Sequence, residues 1–547
     1  MKKLTLILAL LCPLVAIAQL KPVAESEIFT EPEDGYARML LLKNGNTAYL
    51  RITKKDGLEV RLYDRSHKQI AVKTLEPDYG KLRAMSVEGI YDIGGNITVF
   101  ISEWENSVPT LYRIQIDAQT GDLKETKTIA TLDKTTMGQG YAMAFGGVPV
   151  PDFIVRKDPN SDNYGAIRYN TFVSDRDKRV ELIQYNASGV ETARNFLAAP
   201  DGKYKYTQIL DFVVVGQDAY ALLYSFNTAH SGGASNELLL ASVKDGTPHY
   251  FNLGRSITRR INDGILRYNH VTKNLIFLTT EHISTEKGGW GKSENKYATQ
   301  FSIIDPANPS IKKSVDFRQS SLRPKYKKVF KDSDEGFVGM PQQLYINEDG
   351  SFTVLLEEVA QIMKSSRSTM GAGGYYNAGV QLGSAAIITY NEDGTERNSV
   401  LIPKSQTTIP GMFGGASEYV TVTSFYIAAR NNTAVALAAG NQFKSLVYLN
   451  GKEKSYVMLN DIEENEERIQ KGKLTNIKGV SDCNAYIYDI TGVTTPIPAR
   501  TLAFEKGGKR ERNLAIFNIS DYDRESNTYT TLKLEKGNGV KVVWMSE

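Results

Sequence analysis

The stretch from Gln343 to Ile402 contains the same local pattern twice, and this repetition limits the folds open to the chain. A β-rich run leads into Asn347-Glu-Asp-Gly350 and out into a second run, and the pattern recurs around Asn391-Glu-Asp-Gly394. Asp-Gly between such runs predicts a hairpin, because glycine adopts positive φ without steric cost and aspartate hydrogen-bonds its own backbone. Two hairpins in succession predict a small four-stranded antiparallel sheet as the unit of the fold.

The unit recurs along the whole chain. Each copy contains an early hairpin followed by a β-rich strand that enters a second turn. Repeated four-stranded sheets predict an all-β protein, a β-propeller with eight blades, in which sheets pack face to face around an axis. Seven blades are the alternative count, and two stacked β-sandwiches are the alternative fold. The strands entering the second turn end at Tyr63, Ile116, Tyr185, Val243, Ile304, Tyr390, Leu449 and Ile519.

The N terminus predicts export. Lys2 and Lys3, the apolar run of residues 4–11 and Ala16-Ile-Ala18 match the three regions of a secretory signal peptide. An uncleaved anchor is disfavoured, because the run is shorter than the ~20 residues that span a bilayer. The prediction is a signal peptide over residues 1–18 and a single propeller domain over 19–547. No transmembrane segment is predicted, and the location is periplasmic or extracellular.

Charge and cysteine content exclude some functions. Of the 65 Lys and Arg residues two lie in the signal peptide, and the chain has 62 Asp and Glu residues. This balance lacks the basic excess on which nucleic-acid binding depends. Cys483 is the one cysteine outside the signal peptide, so no internal disulfide is predicted. No histidine lies near it in sequence, and it is not predicted to be a nucleophile.

With its export signal and two-hairpin units, the mature chain resembles a secreted β-propeller repeat protein of the Bacteroidota. The resemblance is to architecture, because the chain has no WD dipeptide, kelch double-glycine signature or Asp-box. It implies no catalytic residue and no cofactor. Ring closure is predicted to use either residues Lys21 to Phe29 or the last strand, Val540 to Trp544. A helix over Ile462 to Lys471, capped by Asp461, is predicted in a connection between units.

The long connections are predicted to share one face. In an antiparallel blade the turns between strands one and two and strands three and four lie on one face, and the remaining connections lie on the other. Glycine-rich loops with aromatic and basic residues on this insertion face predict a binding surface; the alternative is that they cover the channel. The longest connections are residues 133–151, 228–236, 282–296, 318–340, 361–384, 403–418 and 491–512. The predicted ligand-binding residues are Lys287, Trp290, Lys292, Tyr375, Tyr376 and Phe413.

No catalytic or metal-binding motif is recognisable, since HExxH, CxxC and GxSxG are all missing from the sequence. His230 and His282 are interpreted as loop histidines rather than a metal pair. Asp158 to Gly165 is interpreted as an Asx-rich turn rather than a calcium loop. A glycosidase needs two facing carboxyl groups, about 5 to 9 Å apart. The carboxylates that flank the insertion face are Glu103, Glu105, Glu281, Glu286, Glu357 and Glu358.

The sequence favours an exported, non-catalytic binding or scaffold protein that binds a polysaccharide or an envelope protein through the insertion face. The alternative is a carbohydrate-active enzyme, a glycoside hydrolase or lyase, with carboxylates at the mouth of the channel. A structural part of a larger envelope complex is the third hypothesis.

Overall fold

The two Asp-Gly turns form as predicted. Gly350 and Gly394 have φ of 81° and 76°, and each preceding aspartate accepts a hydrogen bond from the backbone two residues later. The computed structural model describes residues 20–547 except 80–81, 83–84, 146–147, 228–234, 255–258, 284–295, 318–319, 332–335, 367–373, 409–433, 438–440, 445, 506–512, 536 and 538. The strands around these and the other turns form eight antiparallel sheets, and the all-β propeller with eight blades is confirmed.

The strands of each blade are numbered from the channel outward, and the first strands of most neighbouring blades contact one another around the axis. Blade 1 contains β3 (Tyr36–Leu41), β4 (Thr47–Thr53), β5 (Gly57–Tyr63) and β6 (Gln69–Leu75). Blade 2 contains β7 (Ser86–Ile93), β8 (Asn96–Glu105), β9 (Val108–Asp117) and β10 (Leu123–Thr131). Blade 3 contains β11 (Asp152–Lys157), β12 (Tyr164–Tyr169), β13 (Val180–Tyr185) and β14 (Glu191–Phe196). Blade 4 contains β15 (Tyr206–Val215), β16 (Asp218–Phe226), β17 (Asn236–Lys244) and β18 (Thr247–Gly254).

Among the remaining blades, blade 8 takes strands from the start of the described chain. Blade 5 contains β19 (Arg259–Tyr268), β20 (Leu275–Ile283), β21 (Lys296–Asp305) and β22 (Ser310–Asp316). Blade 6 contains β23 (Met340–Ile346), β24 (Phe352–Ser366), β25 (Gly374–Tyr390) and β26 (Glu396–Ile402), with β27 (Gln406–Thr408) beside β25. Blade 7 contains β29 (Val447–Asn450), β30 (Ser455–Asp461), β31 (Asn484–Asp489) and β32 (Arg500–Leu502). Blade 8 contains β33 (Ala515–Asp523), β34 (Thr528–Glu535), β35 (Gly539–Ser546) and β1 (Lys21–Glu25), with β2 (Phe29–Thr30) also on β35; β28 (Val435–Ala436) pairs with β3.

Both candidate closing segments lie in the same sheet. Strand β1 pairs antiparallel with β35, so the N-terminal segment supplies the outermost strand of blade 8. The Glu25 carboxylate lies 3.2 Å from Lys533 and 3.0 Å from Lys541. The backbone N–H of Ser26 donates to the carbonyl of Val542 at 2.9 Å. The first and last parts of the described chain therefore close the ring together.

The last two predicted units were placed half a unit out of register. The runs ending at Leu449 and Ile519 were predicted to be third strands, but they belong to β29 and β33, the first strands of blades 7 and 8. The turn predicted over Val480 to Cys483 precedes β31, and the turn predicted over residues 430–432 lies outside the described residues. The connection of residues 403–446 is long enough to be counted as a hairpin. The predicted number of eight blades is still correct, because β1 supplies the fourth strand of blade 8.

Within the described parts of the chain, three α-helices lie in the connections. α1 (Met137–Phe145) and α2 (Leu322–Val329) lie between blades, whereas α3 (Asn465–Gln470) lies between β30 and β31. α3 begins at Asn465 rather than Ile462, because the Asp461 carboxylate is engaged by Arg500 at 2.7 Å besides its bonds to nearby nitrogens. None of the described helices combines the length and apolarity that crossing a membrane requires. Short 3-10 turns cover Arg176–Lys178, Pro200–Gly202 and Asn441–Phe443.

The hydrophobic core lies between neighbouring blades. One cluster joins blade 8 to blade 1 around Trp544, which is fully buried. The Trp544 and Tyr63 rings are 5.2 Å apart in an edge-on arrangement, and the indole N–H donates to the Thr47 hydroxyl at 2.8 Å. The two faces of an inner strand are thus both used for packing, while outer strands such as β6 and β14 are largely exposed.

The face opposite the insertions, here called the turn face, is held together by hydrogen bonds between turns of adjacent blades. The Lys43 backbone N–H donates to Asp92 at 2.8 Å, and the Asn269 side chain donates to the Gly350 carbonyl at 2.7 Å. Within the predicted Asx-rich turn, the Lys157 ammonium donates to the carbonyls of Asp158 and Ser161 at 2.9 and 2.5 Å. The Asp158 carboxylate also accepts from the Asn160 backbone N–H at 2.9 Å, which is the hydrogen bond of an Asx turn.

Candidate functional site

In four blades the first strand shifts register near its insertion-face end, and β33 of blade 8 shifts between Ile516 and Asp521. A β-bulge turns side chains out of the regular alternation, and bulges are frequent beside functional sites. Three of the shifts involve residues whose side chains form the polar contacts of the channel wall: Glu88, Asp211 and Gln343. The register shifts lie between Val87 and Gly89, Ile209 and Asp211, Ile261 and Asp263, and Pro341 and Gln343.

A network that we call the arginine belt links blades 3 to 6. It consists of Arg156, Asp211, Arg267 and Gln343, on the first strands of these blades. The Asp211 carboxylate accepts from Arg156 at 2.8 and 2.9 Å and from Arg267 at 3.3 Å. Arg267 also donates to the Gln343 side-chain oxygen at 3.2 Å. Because the Asp211 side chain is only 3% exposed, this carboxylate compensates two arginines in a poorly hydrated place.

A second pair links blade 8 to blade 1 near the same axis. Arg38 lies 4.0 Å from Asp521, which also accepts from the Leu41 backbone N–H at 2.8 Å. Burial lowers the pKa of Arg38 and raises the pKa of Asp521, and the opposite charges partly offset both shifts. Tyr91 donates to the Val155 carbonyl at 3.2 Å, and burial raises its pKa to about 12. These groups hold blades together and are engaged mainly with one another.

Two carboxyl groups stand apart from this network at the insertion-face end of the channel. We call Glu88 and Asp152 the entrance pair. Glu88 lies in the bulge of β7, and Asp152 is the first residue of β11 in the next blade. Ser102 donates its hydroxyl to Glu88 at 2.7 Å, and the Asp152 carboxylate accepts from the backbone N–H of Phe153 at 2.8 Å. Among the described residues, neither carboxyl forms an ion pair.

The electrostatics of the entrance pair favour a bound proton. Asp152 is exposed to water, and nearby protein atoms still displace part of the water around its carboxylate. This desolvation, followed by the charge of Glu88, raises the pKa of Asp152 to about 8. Desolvation also raises the pKa of Glu88, while Ser102 and Arg156 act in the opposite direction. At neutral pH, Asp152 can therefore both donate and accept hydrogen bonds.

The carboxylates proposed from the sequence are placed differently. Glu357 forms a fully buried ion pair with Lys404, and burial raises its pKa. Glu358 accepts from the Tyr326 hydroxyl at 3.3 Å, and burial raises its pKa to about 7. Glu103 is buried, and the side chains of Glu105, Glu281 and Glu286 lie outside the described residues. Sequence reasoning therefore missed both members of the entrance pair.

The predicted ligand-binding residues are only partly within the described chain. Lys287, Trp290, Lys292 and Phe413 lie outside the described residues. Tyr375 and Tyr376 are in β25, opposite Ser365 and Lys364 in β24. Only residues 352–357 of β24 pair with β23, and only residues 385–390 of β25 pair with β26. The rest of the two strands therefore extends past β23 and β26. A role for its tip in ligand binding stays a prediction.

The connections of the insertion face follow the predicted arrangement in part. Residues 133–151, 318–340 and the described part of 403–418 join strands on that face. Most of the predicted connection 361–384 instead continues β24 and β25, which pair with each other there. Nearly all of the predicted connections 228–236 and 282–296 lies outside the described residues. The predicted insertion of residues 491–512 is instead split by β32, because the unit was out of register. Residues 490–499 join β31 to β32 on the turn face, and the part after Leu502 leads into blade 8.

Part of the connection after blade 6 covers the inner ends of blades 1, 7 and 8. β28 pairs with the start of β3, and the Leu437 N–H donates to the Gly35 carbonyl at 2.9 Å. Phe443 is buried against the cluster between blades 8 and 1. For this part of the insertion face, the covering role is what the structure shows. The entrance pair lies on the other side, in blades 2 and 3.

Histidine and cysteine chemistry adds no centre among the described residues. No group of three or more His, Cys, Asp or Glu side chains there could hold a metal ion. His230 lies outside the described residues, and His282 is in β20. Cys483 is a buried free thiol, and burial raises its pKa to about 12.

Asp152→Asn is expected to raise the thermal midpoint at pH 9 relative to the wild type and to leave it unchanged at pH 4. The pKa of Asp152 is about 8 in the folded protein, whereas an unfolded aspartate titrates near about 3.9. A raised carboxyl pKa gives its full stability below the unfolded value, and this stability is lost as the pH rises through the folded value. Differential scanning calorimetry across this pH range measures the effect. Asp245→Asn, an exposed change on the turn face, is the control, and a pH-independent difference at Asp152 would contradict the raised pKa.

Comparison with known proteins finds weak likenesses to solved structures. No protein-family model and no curated protein matches the chain. Among solved structures, the polysaccharide lyase Uly1 has a TM-score of 0.38 and 9% identity, with 96% of this chain and 99% of the lyase covered. A hypothetical selenium-binding protein from Sulfolobus tokodaii has a TM-score of 0.34 and 11% identity, covering 66% of this chain and 78% of its own. The endo-arabinanase of Bacillus licheniformis has a TM-score of 0.24 and 9% identity, covering 51% and 97%. Likenesses this weak carry no argument about function.

Proposed function

We propose that this protein is an exported, non-catalytic propeller that binds a polysaccharide at the channel entrance above blades 2 and 3. The observation that carries the proposal is the entrance pair. Glu88 and Asp152 lie at the ends of adjacent inner strands and have no ion-pair partner among the described residues. In contrast, the arginines of the belt share the Asp211 carboxylate as their partner. Two such carboxyl groups on a rigid ring are prepared to hydrogen-bond a neutral, hydroxyl-rich ligand.

The protonation of the pair suits sugar hydroxyl groups. A carboxylate accepts hydrogen bonds from neighbouring hydroxyls, and a protonated carboxyl group also donates one. With the pKa of Asp152 at about 8, the entrance offers both kinds of contact at neutral pH. The bulge and strand start that position the two residues are parts of the sheet rather than loops, which limits the ordering cost of binding.

The proposal of export rests on the N-terminal sequence and on ring closure. β1 begins at Lys21 and Leu20 is buried against blade 8. Cleavage after Ala18 would therefore leave the closing strand intact. Localisation of the full chain by cell fractionation, with the N-terminal residue read by mass spectrometry, tests this part.

Glu88→Ala and Asp152→Ala are each expected to weaken polysaccharide binding about tenfold or more. Loss of a hydrogen bond costs about 1 kcal/mol for a neutral group and about 1.5–3 kcal/mol for a charged one, and each carboxyl group offers more than one such bond. About 1.4 kcal/mol corresponds to tenfold in affinity. The wild type is screened by affinity electrophoresis against starch, xylan, laminarin and polygalacturonate, and titration calorimetry on the best binder gives the affinities. Asp245→Asn on the turn face is the matched control. Unchanged affinity in both alanine variants would overturn the assignment of the site.

A carbohydrate-active enzyme is the second candidate, and the same pair is its specific support. A glycosidase needs one carboxyl group that keeps its proton and a second that acts as base or nucleophile. Wild-type protein incubated with the same polysaccharides distinguishes the candidates. Release of reducing ends or of unsaturated products, abolished by Glu88→Gln, would replace the binding function with catalysis.

A further inference from the structure

Four side chains attach the start of helix α2 to β26, the outermost strand of blade 6. Ser321 immediately precedes the helix, and Lys325 lies one turn further along it. Glu396 and Ser399 belong to β26. The Ser321 backbone N–H donates to one oxygen of the Glu396 carboxylate at 3.0 Å, and the Ser321 hydroxyl donates to the other oxygen. A hydroxyl group and a basic carboxylate are therefore in direct contact.

The hydrogen bonds among these four side chains run in one direction. Lys325 Nζ donates to Ser399 Oγ at 3.0 Å and also to the Ser399 carbonyl. The Oγ atoms of Ser399 and Ser321 are 2.7 Å apart. An ammonium group only donates, an ionised carboxylate only accepts, and each hydroxyl has one proton. Because Ser321 donates its proton to Glu396, the hydroxyl of Ser399 must donate to Ser321.

This order of donors and acceptors is what a serine nucleophile requires. A serine hydroxyl is a weak nucleophile until a neighbouring base takes its proton. Glu396 is in position to take the proton of Ser321. The hydroxyl of Ser399, polarised by the ammonium of Lys325, is in position to stabilise the negative charge that develops on Ser321 Oγ. Burial lowers the pKa of Lys325, while the charge of Glu396 acts in the opposite direction.

An ordinary helix cap does not account for the arrangement. A serine before a helix usually accepts a hydrogen bond from a backbone N–H of the first turn. The Ser321 side chain makes no such bond and contacts β26 instead. Ser321 is exposed, whereas Ser399 is 2% exposed. A dissolved substrate can therefore reach the first hydroxyl, and the second supports it from the protein side.

We propose that Ser321 is the nucleophile of a second site, which hydrolyses carboxylic esters, with Glu396 as general base and with Ser399 and Lys325 as positioning residues. Ser321 Oγ bonds to the carbonyl carbon of the ester while its proton moves to Glu396; the bond to the alcohol oxygen breaks, and the alcohol leaves with that proton. Water then bonds to the acyl carbon and gives a proton to Glu396. The acid is released as the acyl–Oγ bond breaks and the proton returns to Ser321. An ester fits this site better than an amide, because an alcohol leaves more readily than an amine.

This inference goes beyond the proposed function and concerns a different part of the ring. The entrance pair belongs to the inner strands of blades 2 and 3, whereas Ser321 contacts the outermost strand of blade 6. If the inference holds, the protein is non-catalytic only at its channel entrance. Binding at the entrance and hydrolysis at blade 6 can therefore be tested independently.

Wild-type protein is expected to react with a fluorophosphonate probe at Ser321, as read by peptide mass spectrometry, and to hydrolyse p-nitrophenyl acetate faster than buffer does. Ser321→Ala should abolish both. Glu396→Gln should lower kcat about hundredfold, a usual share for a general base, while its amide oxygen still accepts from Ser321 and keeps α2 attached. Ser310→Ala, which removes an exposed hydroxyl of blade 5 that donates to the Asn308 carbonyl at 3.0 Å, is the matched control.

The two positioning residues have a readout that a merely structural role would not move. Ser399→Ala is expected to lower kcat about tenfold with KM unchanged, because a hydrogen bond to the developing charge is lost. Lys325→Met should have a similar effect, and Lys325→Arg should restore most of the rate, since a guanidinium also donates to Ser399. Equal losses in the two Lys325 variants would contradict the role given to its charge.

The outcomes also separate this inference from the proposed function. If the wild type neither reacts with the probe nor hydrolyses the ester above the rate in buffer, the inference is overturned, and the four side chains only attach α2 to blade 6. Hydrolysis that Ser321→Ala retains, or labelling no stronger at Ser321 than at Ser310, overturns it as well. Glu88→Ala is expected to leave ester hydrolysis unchanged, and Ser321→Ala is expected to leave polysaccharide binding unchanged.

Discussion

Asp211→Ala is expected to lower the free energy of unfolding by about 3–5 kcal/mol, the cost of removing one partner from a buried ion pair. The Asp211 carboxylate contacts Arg156 at 2.8 Å and Arg267 at 3.3 Å, and it is 3% exposed. Removing it leaves two guanidinium groups close together in a poorly hydrated channel. Denaturant-induced unfolding, followed by circular dichroism, measures the loss.

A rescue variant distinguishes unpaired charge from lost packing. Replacing Asp211 by Leu together with Arg156→Met and Arg267→Met removes the charges as a group, and such replacements are often neutral or stabilising. We therefore expect the triple variant to recover most of the stability. Glu191→Ala, which removes one partner of the exposed Glu191–Arg194 pair at 2.7 Å, is the control, with an expected loss below about 1 kcal/mol. A comparably small loss in Asp211→Ala would show that the belt does not hold the blades together.

Trp544→Ala is expected to lower the free energy of unfolding by about 3–5 kcal/mol, because it empties a fully buried site between blades 8 and 1. The indole packs edge-on to Tyr63 at 5.2 Å and donates to Thr47 at 2.8 Å. Its loss creates a cavity and leaves the Thr47 hydroxyl without this donor. The cavity lies at the interface that the N-terminal strand closes, so we expect limited proteolysis to cut first near β1.

The matched control is Trp104→Ala, since Trp104 is only partly buried at the end of β8. Its expected loss is smaller, because less apolar surface leaves the core. Trp544→Phe is expected to fall between the two alanine variants, as it keeps most of the apolar contact and loses the hydrogen bond. Equal losses in Trp104→Ala and Trp544→Ala would contradict a special role for the closing interface.

Substitutions in the arginine belt and in the entrance pair are expected to distinguish the structural part of the channel from the proposed site. Asp211 lies in the arginine belt, whose charges are compensated between blades, whereas Glu88 and Asp152 lie toward the insertion face without such partners among the described residues. A stability loss in the first case and a binding loss in the second would support this division. Asp152→Asn adds a pH-dependent difference in stability that Trp544→Ala, which removes no titratable group, should not show.

The fold was accessible from the sequence because its signals are local. The Asp-Gly turns at Gly350 and Gly394 and the β-rich runs beside them determine each hairpin within a few residues of chain. The register of blades 7 and 8 was missed because no local signal separates a long connection from half a blade. The site was missed for a related reason. Glu88 is recognisable only as a residue before a strand glycine, and Asp152 only as a strand start after proline.

By itself the amino-acid sequence determined the unit of this protein, its approximate number of copies and the side of the blade on which most long connections lie, because turn chemistry and strand preference act between neighbouring residues. The tertiary structure decided which segments close the ring, which aspartate compensates two arginines, and which two carboxyl groups lie on adjacent inner strands toward the insertion face. Those contacts join residues from different blades. They depend on bulges, on the register of each sheet and on how one blade packs against the next, and none of these is set by the residues adjacent in the chain.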